Sequence, residues 1–518
     1  VISLFKKLGS AIWSVERSEI RKVFLCFALL FFTCTAYSVL RNIKDTLVLS
    51  GNEFGAEIIP FLKVWGILPA VFIANWIYTR LSRVFTKEAV FYLVIGGFLF
   101  YFLFFTFFLY AKLDILKFDP ALFSFLPPGS RGLIAMICCW PVSMFYVIAE
   151  LWSILLLGVI FWGFANDIFS LREAKRTYGI INLGSNLSPI LAGALAFYLT
   201  QSLNLPIGFA KDAFHSNLMK LILLVTACGL ICFPLFWAVS RHSLKAPFRW
   251  FKTGEEKLCP LTKRKSKLSL KRSIATIARS PYLCCLALIV ICYNVSINFT
   301  DVLWKQQLKT FFQDPSQMLS HMYMISFGTG VFSLLGALLF SALVHRFGWT
   351  IVALVTPLIM TIMGVAFFSF YFLGDGWLGG IATALSLSPL ALTVYIGSWQ
   401  NMLTKAGKYS LFDATKELAF LPLTADERQK GKTAIDGLGA GVGKSGSSLL
   451  YQGLLLSFGS IGACSPIIAS ILVVTLGASI ISAVALGRKF DKITKTEAAE
   501  ESSERDLESI ATPELERL

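Results

Sequence analysis

Apolar windows of about twenty residues, the length that crosses a bilayer as a helix, recur from residue 22 to residue 487. They predict spans at 22–46, 61–80, 88–111, 140–168, 177–200 and 217–240. After a break, further spans are expected at 281–308, 320–345, 350–373, 376–403, 432–457 and 461–487. Of the 518 residues 56% are hydrophobic, 46 are Phe, and mean hydropathy is +0.68, so the bilayer is the solvent. Backbone facing lipid must satisfy its own hydrogen bonds, so the expected fold is an all-α membrane protein of twelve transmembrane helices. The stretch Leu133–Ile168 reads as one tilted span with an amphipathic lead-in or as two short ones. One span keeps six in each half.

Charge supports this topology. The net charge of +16 and pI near 9.3 would suggest nucleic acid if the basic residues were spread evenly. Instead they gather in loops: residues 241–279 hold twelve Lys and Arg against Glu255 and Glu256. Arg80, Arg83 and Lys87, the run Arg172–Arg176 and the stretch Lys405–Lys432 share that side if both termini are cytoplasmic. This is the positive-inside pattern, an orientation signal rather than a nucleic-acid surface. The apolar run from Val23 is too long for a signal-peptide core and has no convincing cleavage site. The chain divides into a cytoplasmic segment 1–21, a six-helix bundle 22–240, a basic linker 241–280 and a second bundle 281–487. An acidic tail, 488–518, is expected to be mobile and cytoplasmic.

The two bundles repeat faintly. Aligning the first span with the seventh sets Ala28-Leu29 over Ala287-Leu288 and Arg41–Asp45 over Thr300–Trp304. Arg80–Arg83 is echoed by Val344–Gly348, and Leu183-Gly184-Ser185 lies over Leu438-Gly439-Ala440. Two six-helix pseudo-repeats joined by a basic linker describe a major-facilitator-like architecture, with substrate held at the midplane between them.

Ions inside these spans carry the functional signal. Lys44, Glu150, Asp301, Lys305 and Lys444 interrupt otherwise apolar helices, with Arg41 one turn from the first. Each would cost roughly 2.5–3.5 kcal/mol in hydrocarbon, so each must face a partner or a wet cavity. Tyr37, Arg41, Lys44 and Val48 fall on one helix face, and Asn294, Asn298, Asp301 and Lys305 form a second such stripe. Arg41 and Lys44 together suit phosphate, although snorkelling towards the span's outer end competes with that reading. Glu150 lies deep in the fourth span, one turn after Tyr146, and must pair with a cation or carry a proton. Asp301 has the same choice, with Lys305 one turn away. Asp45, Asn166, Asp167, Arg83 and Arg346, nearer the span ends, are candidates for gating.

Lys444 ends a glycine-rich run that imitates a phosphate-binding P-loop, but Leu438 stands where the motif needs Gly and no strand precedes it. The glycines instead suit a thin helix face that a neighbour or ligand approaches closely. The eleven Cys lie mostly within apolar runs as small hydrophobes, and the four His are scattered. No metal or cofactor is expected.

Several motifs resemble the ATP/ADP translocases of plastids and obligate intracellular bacteria. They include Leu40-Arg-Asn-Ile-Lys-Asp-Thr-Leu47, Gly55-Ala-Glu-Ile-Ile-Pro-Phe61, Ala149-Glu-Leu-Trp152 and Phe161-Trp-Gly-Phe-Ala-Asn166. Glu173-Ala-Lys-Arg176, Tyr409–Glu417 and Gly443-Lys-Ser-Gly446 continue the likeness in the same order, from about residue 20 to 490. The resemblance implies nucleotide transport, by exchange of ATP for ADP and phosphate or by proton-driven uptake. It also implies functional charges at Lys44, Glu150, Asp301 and Lys444. The chain departs from the exchangers' Leu-Arg-Asp-Thr-Lys-Asp at Asn42 and Ile43, and has Asp301 where they carry Glu.

The leading expectation is a nucleotide importer of a bacterial inner membrane, monomeric, working by alternating access. Lys44, Lys444, Arg41 and Lys305 would neutralise phosphates, with Tyr37, Tyr146, Asn294 and Asn298 among the other contacts. Glu150 or Asp301 would carry a coupling proton or release cations when substrate leaves. Given the departures from the exchangers' motifs, nucleoside triphosphate/proton symport leads and ATP/ADP antiport is the alternative. A membrane transferase would need a catalytic cluster that the linker lacks. A lipid-scrambling bundle would not saturate with nucleotide.

Overall fold

The computed structural model describes residues 16–515 apart from 124, 202–209, 245–248, 252–279, 375, 377 and 436–441. Most of the basic linker and the start of the glycine-rich run therefore lie outside the described residues. The remainder is helical, save for loops and one isolated bridge between Phe85 and Phe251.

Six long helices precede the linker. They are α1 (Arg17–Gly51), α2 (Gly55–Val84), α3 (Lys87–Leu116), α4 (Trp140–Ile168), α5 (Leu171–Gln201) and α6 (Ala213–Leu244). After it come α7 (Pro281–Phe311) and α8 (Pro315–Leu373). Next, α9 (Pro389–Gly407) runs on through a π-turn at Lys408–Phe412 to Ala419. Then follow α10 (Ala425–Ala434), α11 (Ser447–Phe458, led by a π-turn at Val442–Gly446) and α12 (Ile461–Leu515). Three of these starts are written as a capping residue before proline: Ser280-Pro281, Asp314-Pro315 and Ser388-Pro389.

Among the described residues nine helices are long and apolar enough to cross a membrane. One of them, α8, has 59 residues and turns at Gly348, whose φ of 79° and ψ of 166° break the helix into two runs. The lead-in to the fourth span is a separate short helix, Arg131–Cys138, parted from α4 at Cys139.

The tenth window, expected at 376–403, is displaced. Its apolar start folds as a loop holding a short helix at Gly379–Ala384 and a left-handed Ser386 (φ 55°). The helix begins only at Pro389 and continues well past Lys405. Lys405 looked like the membrane edge, yet it points inward to a carboxylate, so the apolar window misplaced the boundary. The acidic tail is wound as helix: α12 continues to Leu515 because its Ala, Glu, Lys and Arg are good helix formers.

The chain halves meet along one side. Gly193 abuts Phe327 and Gly330 abuts Ile190 where α5 crosses α8. Lys309 donates to the Asn52 carbonyl at 2.5 Å and the Glu53 carbonyl at 2.9 Å, and the Ala56 N–H donates to Gln306 Oε1 at 2.8 Å. Gly55 makes this turn possible: its φ is +64°, and a Cβ there would meet Gln306 Oε1. Gln452 donates to the Pro60 carbonyl at 2.9 Å, and Glu57 accepts the Ile461 N–H at 3.2 Å. Hydrogen bonds between the halves run from these points to mid-membrane, ending at Ser333 and Asn186.

Candidate functional site

Where α1 passes α7, six charged side chains alternate in sign. Glu150 of α4 pairs with Lys44 at 3.2 Å, and Lys44 also reaches Asp45 at 3.3 Å. Asp45 pairs across the chain halves with Lys305 at 2.8 Å, Lys305 with Asp301 at 2.7 Å, and Asp301 with Lys405 at 3.4 Å. Three acids face three bases, so the buried row is neutral. Such a row survives desolvation only when each ion keeps its partners.

Local helix geometry sets this order. Asp301 and Lys305 stand one turn apart on α7 and pair directly. Lys44 and Asp45 are neighbours in sequence, so they diverge: one turns to α4 and the other to α7. Lys44 also lies 3.8 Å above the Tyr146 ring, which supplies a cation–π face. The Tyr37 hydroxyl donates to Glu150 at 3.4 Å, and the Asn401 amide donates to Asp301 at 2.9 Å.

The row is sealed in the middle and open at its ends. Side-chain exposure is 4–6% at Lys44, Asp45 and Lys305, but 27% at Glu150 and 22% at Lys405. Glu150 and Lys405 are therefore the most accessible ions of the row. A narrow polar cavity between the halves, lined by Arg41, Asn42, Asp45, Lys305, Ser326 and Lys405, has room for about one water molecule.

Further cations surround the row without carboxylates of their own. Arg41 lines the cavity and forms no ion pair among the described residues. Lys444 is exposed on the π-turn ahead of α11, within electrostatic reach of Glu150, Lys408, Tyr409 and Asp413. Glu150 thus feels both Lys44 and Lys444. Gly443 packs against Asn294, whose side chain bonds the Val290 carbonyl of its own helix at 2.8 Å instead of facing the row. Asn298 bridges to Ser447 and Ser448, at 2.7 and 3.0 Å.

The remaining gating candidates sit elsewhere. Asp167 pairs with Lys87 at 2.5 Å, and Asn166 accepts from the Tyr178 hydroxyl at 2.9 Å, both within the first half. Arg83 is exposed, and Arg346 is exposed beside the Phe347 ring.

A family model described as the TLC ATP/ADP transporter matches residues 2–490. The chain belongs to that family. ADP,ATP carrier protein 1 of Chlamydia trachomatis is 38% identical over 98% of this chain and 95% of its own length. ADP,ATP carrier protein 2 of the same organism is 40% identical over 96% and 93%. A chloroplastic ADP,ATP carrier protein 1 from Arabidopsis thaliana is 36% identical over 95% of this chain and 78% of that one. Among solved structures, a bacterial homologue of the iron transporter ferroportin in an inward-facing state gives a TM-score of 0.51 at 13% identity. It covers 91% of this chain and 98% of its own, and what it shares is the fold, of major-facilitator type. This TLC family member is a transporter, not an enzyme.

Two cations of the site escaped the sequence reading. Lys405 stood at the edge of a misplaced window, and Lys63 lay just inside the start of the second span, where a lysine reads as a snorkelling end. Correct helix phasing from Pro389 would have put Lys405 one turn beyond Asn401, on the same helix face.

Proposed function

We propose that this protein imports nucleoside triphosphates across the inner membrane of a bacterium by alternating access, as a monomer with both termini in the cytoplasm. The observation that carries the proposal is the neutral six-ion row joining the chain halves, exposed at its ends and flanked by Arg41 and Lys444, cations with no ion pair among the described residues. With no substrate bound, carboxylates occupy the lysines. A polyphosphate brings oxygens that compete for them, and the surplus cations favour the polyanion over the native carboxylates.

Proton coupling follows from the same competition. When a phosphate takes Lys44, Glu150 loses its ion pair and keeps the Tyr37 hydroxyl as its direct contact, and a carboxylate so stripped binds a proton more readily. Substrate and proton then load together, which makes the leading reading nucleotide/proton symport. ATP/ADP exchange is the second reading, favoured by the carrier names of the relatives. In exchange, only a polyphosphate resets the row, and no proton moves.

Uptake of labelled nucleotide into proteoliposomes, with and without a proton gradient, tests this. Symport requires that an uncoupler collapse accumulation. Uptake that depends strictly on internal ADP and ignores the uncoupler replaces symport with exchange, while no nucleotide uptake under either condition removes both.

A further inference from the structure

Lys63 sits in the π-helical stretch Leu62–Ile67 of α2, on the side where the chain halves touch. Its ammonium donates to Asn298 Oδ1 on α7. Both amide protons of Asn298 are in turn used, to Ser447 Oγ at 2.7 Å and Ser448 Oγ at 3.0 Å. Those two hydroxyls donate onward to a single acceptor, the backbone carbonyl of Lys444, at 2.9 and 3.0 Å.

The relay starts in one half and ends on the π-turn that carries the exposed Lys444 side chain. Isolated π-turns are local departures from regular winding that recur at functional sites. Here the carbonyl that anchors the turn is held by hydroxyls whose orientation depends on Asn298, and so on Lys63. Lys63 has no ion pair among the described residues, though Asp301 and Asp45 lie within electrostatic reach. An ammonium that bonds a neutral amide in place of a nearby carboxylate is spent on position, not on charge balance.

We propose that Lys63 is a positioning residue: it links closure of the halves on the α2 side to the presentation of Lys444 towards substrate phosphate. The inference rests on the proposed phosphate role of Lys444. In the state where the halves part at α2, Lys63 leaves Asn298, the serine hydroxyls lose their fixed donor, and the Lys444 turn relaxes. Substrate grip and closure on that side then rise and fall together, as alternating access requires.

The test uses full-length protein in liposomes and in detergent. Lys63→Met and Asn298→Leu are each expected to lower the maximal rate at least tenfold with the KM for nucleotide changed less than about threefold. The double variant should be no slower than the worse single one, because both break one relay. Lys63→Arg, which still donates, should recover most of the rate. Amide exchange over residues 52–61 should quicken in Lys63→Met, since closure there loosens. A tenfold rise in KM at unchanged maximal rate would make Lys63 a direct phosphate ligand and overturn the proposal. Additive losses, or unchanged exchange, would do the same. If Lys63→Met fails to insert, the double replacement Ser447→Ala, Ser448→Ala carries the test with the same expected rate loss, and wild-type transport by it refutes the relay. Thermal stabilisation of the wild type by nucleotide is the separate control. Its absence would sink the nucleotide reading itself, whatever Lys63 does.

Discussion

The two halves of the ion row are inverted copies of one design. Before the linker, one base, Lys44, stands between two acids, Asp45 and Glu150. After it, one acid, Asp301, stands between two bases, Lys305 and Lys405. In both halves, the central ion comes from the first helix (α1 or α7) and an exposed partner comes from the fourth span, α4, or the tenth, α9. Each half alone is out of balance, one negative and the other positive. Only the Asp45–Lys305 pair between them makes the row neutral. The halves therefore attract at mid-membrane in the empty state, and a charged substrate must replace that attraction with contacts of its own.

This inversion ranks the substitutions. Lys44→Ala removes the centre of the acidic half, leaving Glu150 without its ion pair and Asp45 with Lys305 alone, and takes away a proposed phosphate contact as well. Breaking a buried pair in this way costs about 3–5 kcal/mol, so uptake should fall more than a hundredfold with membrane insertion intact. Lys444→Ala should match it in uptake while leaving the empty row untouched, since Lys444 makes no ion pair there. Labelled-nucleotide uptake alongside a membrane blot checks both. Full transport by either variant would show that the phosphate assignment is wrong.

Asp45→Asn comes next. It spares Lys44–Glu150 and Lys305–Asp301, and removes the Asp45 pairs with Lys44 and, across the halves, with Lys305. At least a tenfold loss of rate is expected, about 1.4 kcal/mol or more. The loss should shrink when saturating nucleotide supplies the missing attraction. A wild-type rate at all concentrations would mean that the other contacts between the halves, those of Lys309 and Gln452 among them, hold without this pair.

How much of this was legible in the sequence depends on the kind of signal. Ions inside apolar windows had to meet a partner or a wet cavity, which singled out Lys44, Glu150, Asp301, Lys305 and Lys444 before any geometry. Helical spacing also gave the Asp301–Lys305 pair, one turn apart on one face. Spacing within a helix cannot report which helix lies opposite, so the Asp45–Lys305 link and the Lys63–Asn298 contact were invisible. Asn294 shows the converse: it shared a stripe with Asn298, yet its amide turned back to its own backbone because Gly443 lets α11's leading turn press against it. Window boundaries failed at Lys405 for a related reason, since a lysine paired within the membrane looks the same in sequence as one that ends a span.

The smallest expected effects separate the exposed ends of the row, Glu150 and Lys405. Lys405→Met leaves Asp301 with Lys305 and the Asn401 amide, so the row still holds. A partly exposed pair of this kind contributes on the order of 1 kcal/mol, which corresponds to a roughly three- to tenfold higher KM for nucleotide and little change in maximal rate. Glu150→Gln leaves Lys44 paired to Asp45 and should also be modest in rate at saturating substrate, but different in kind. Gln cannot take up a proton when phosphate claims Lys44, so uptake should persist at gradient-independent levels, insensitive to an uncoupler that collapses wild-type accumulation. If instead Lys405→Met uncouples transport and Glu150→Gln only raises KM, the proton is carried at Asp301. The two halves would then exchange roles, with the basic half handling the proton and the acidic half binding the substrate.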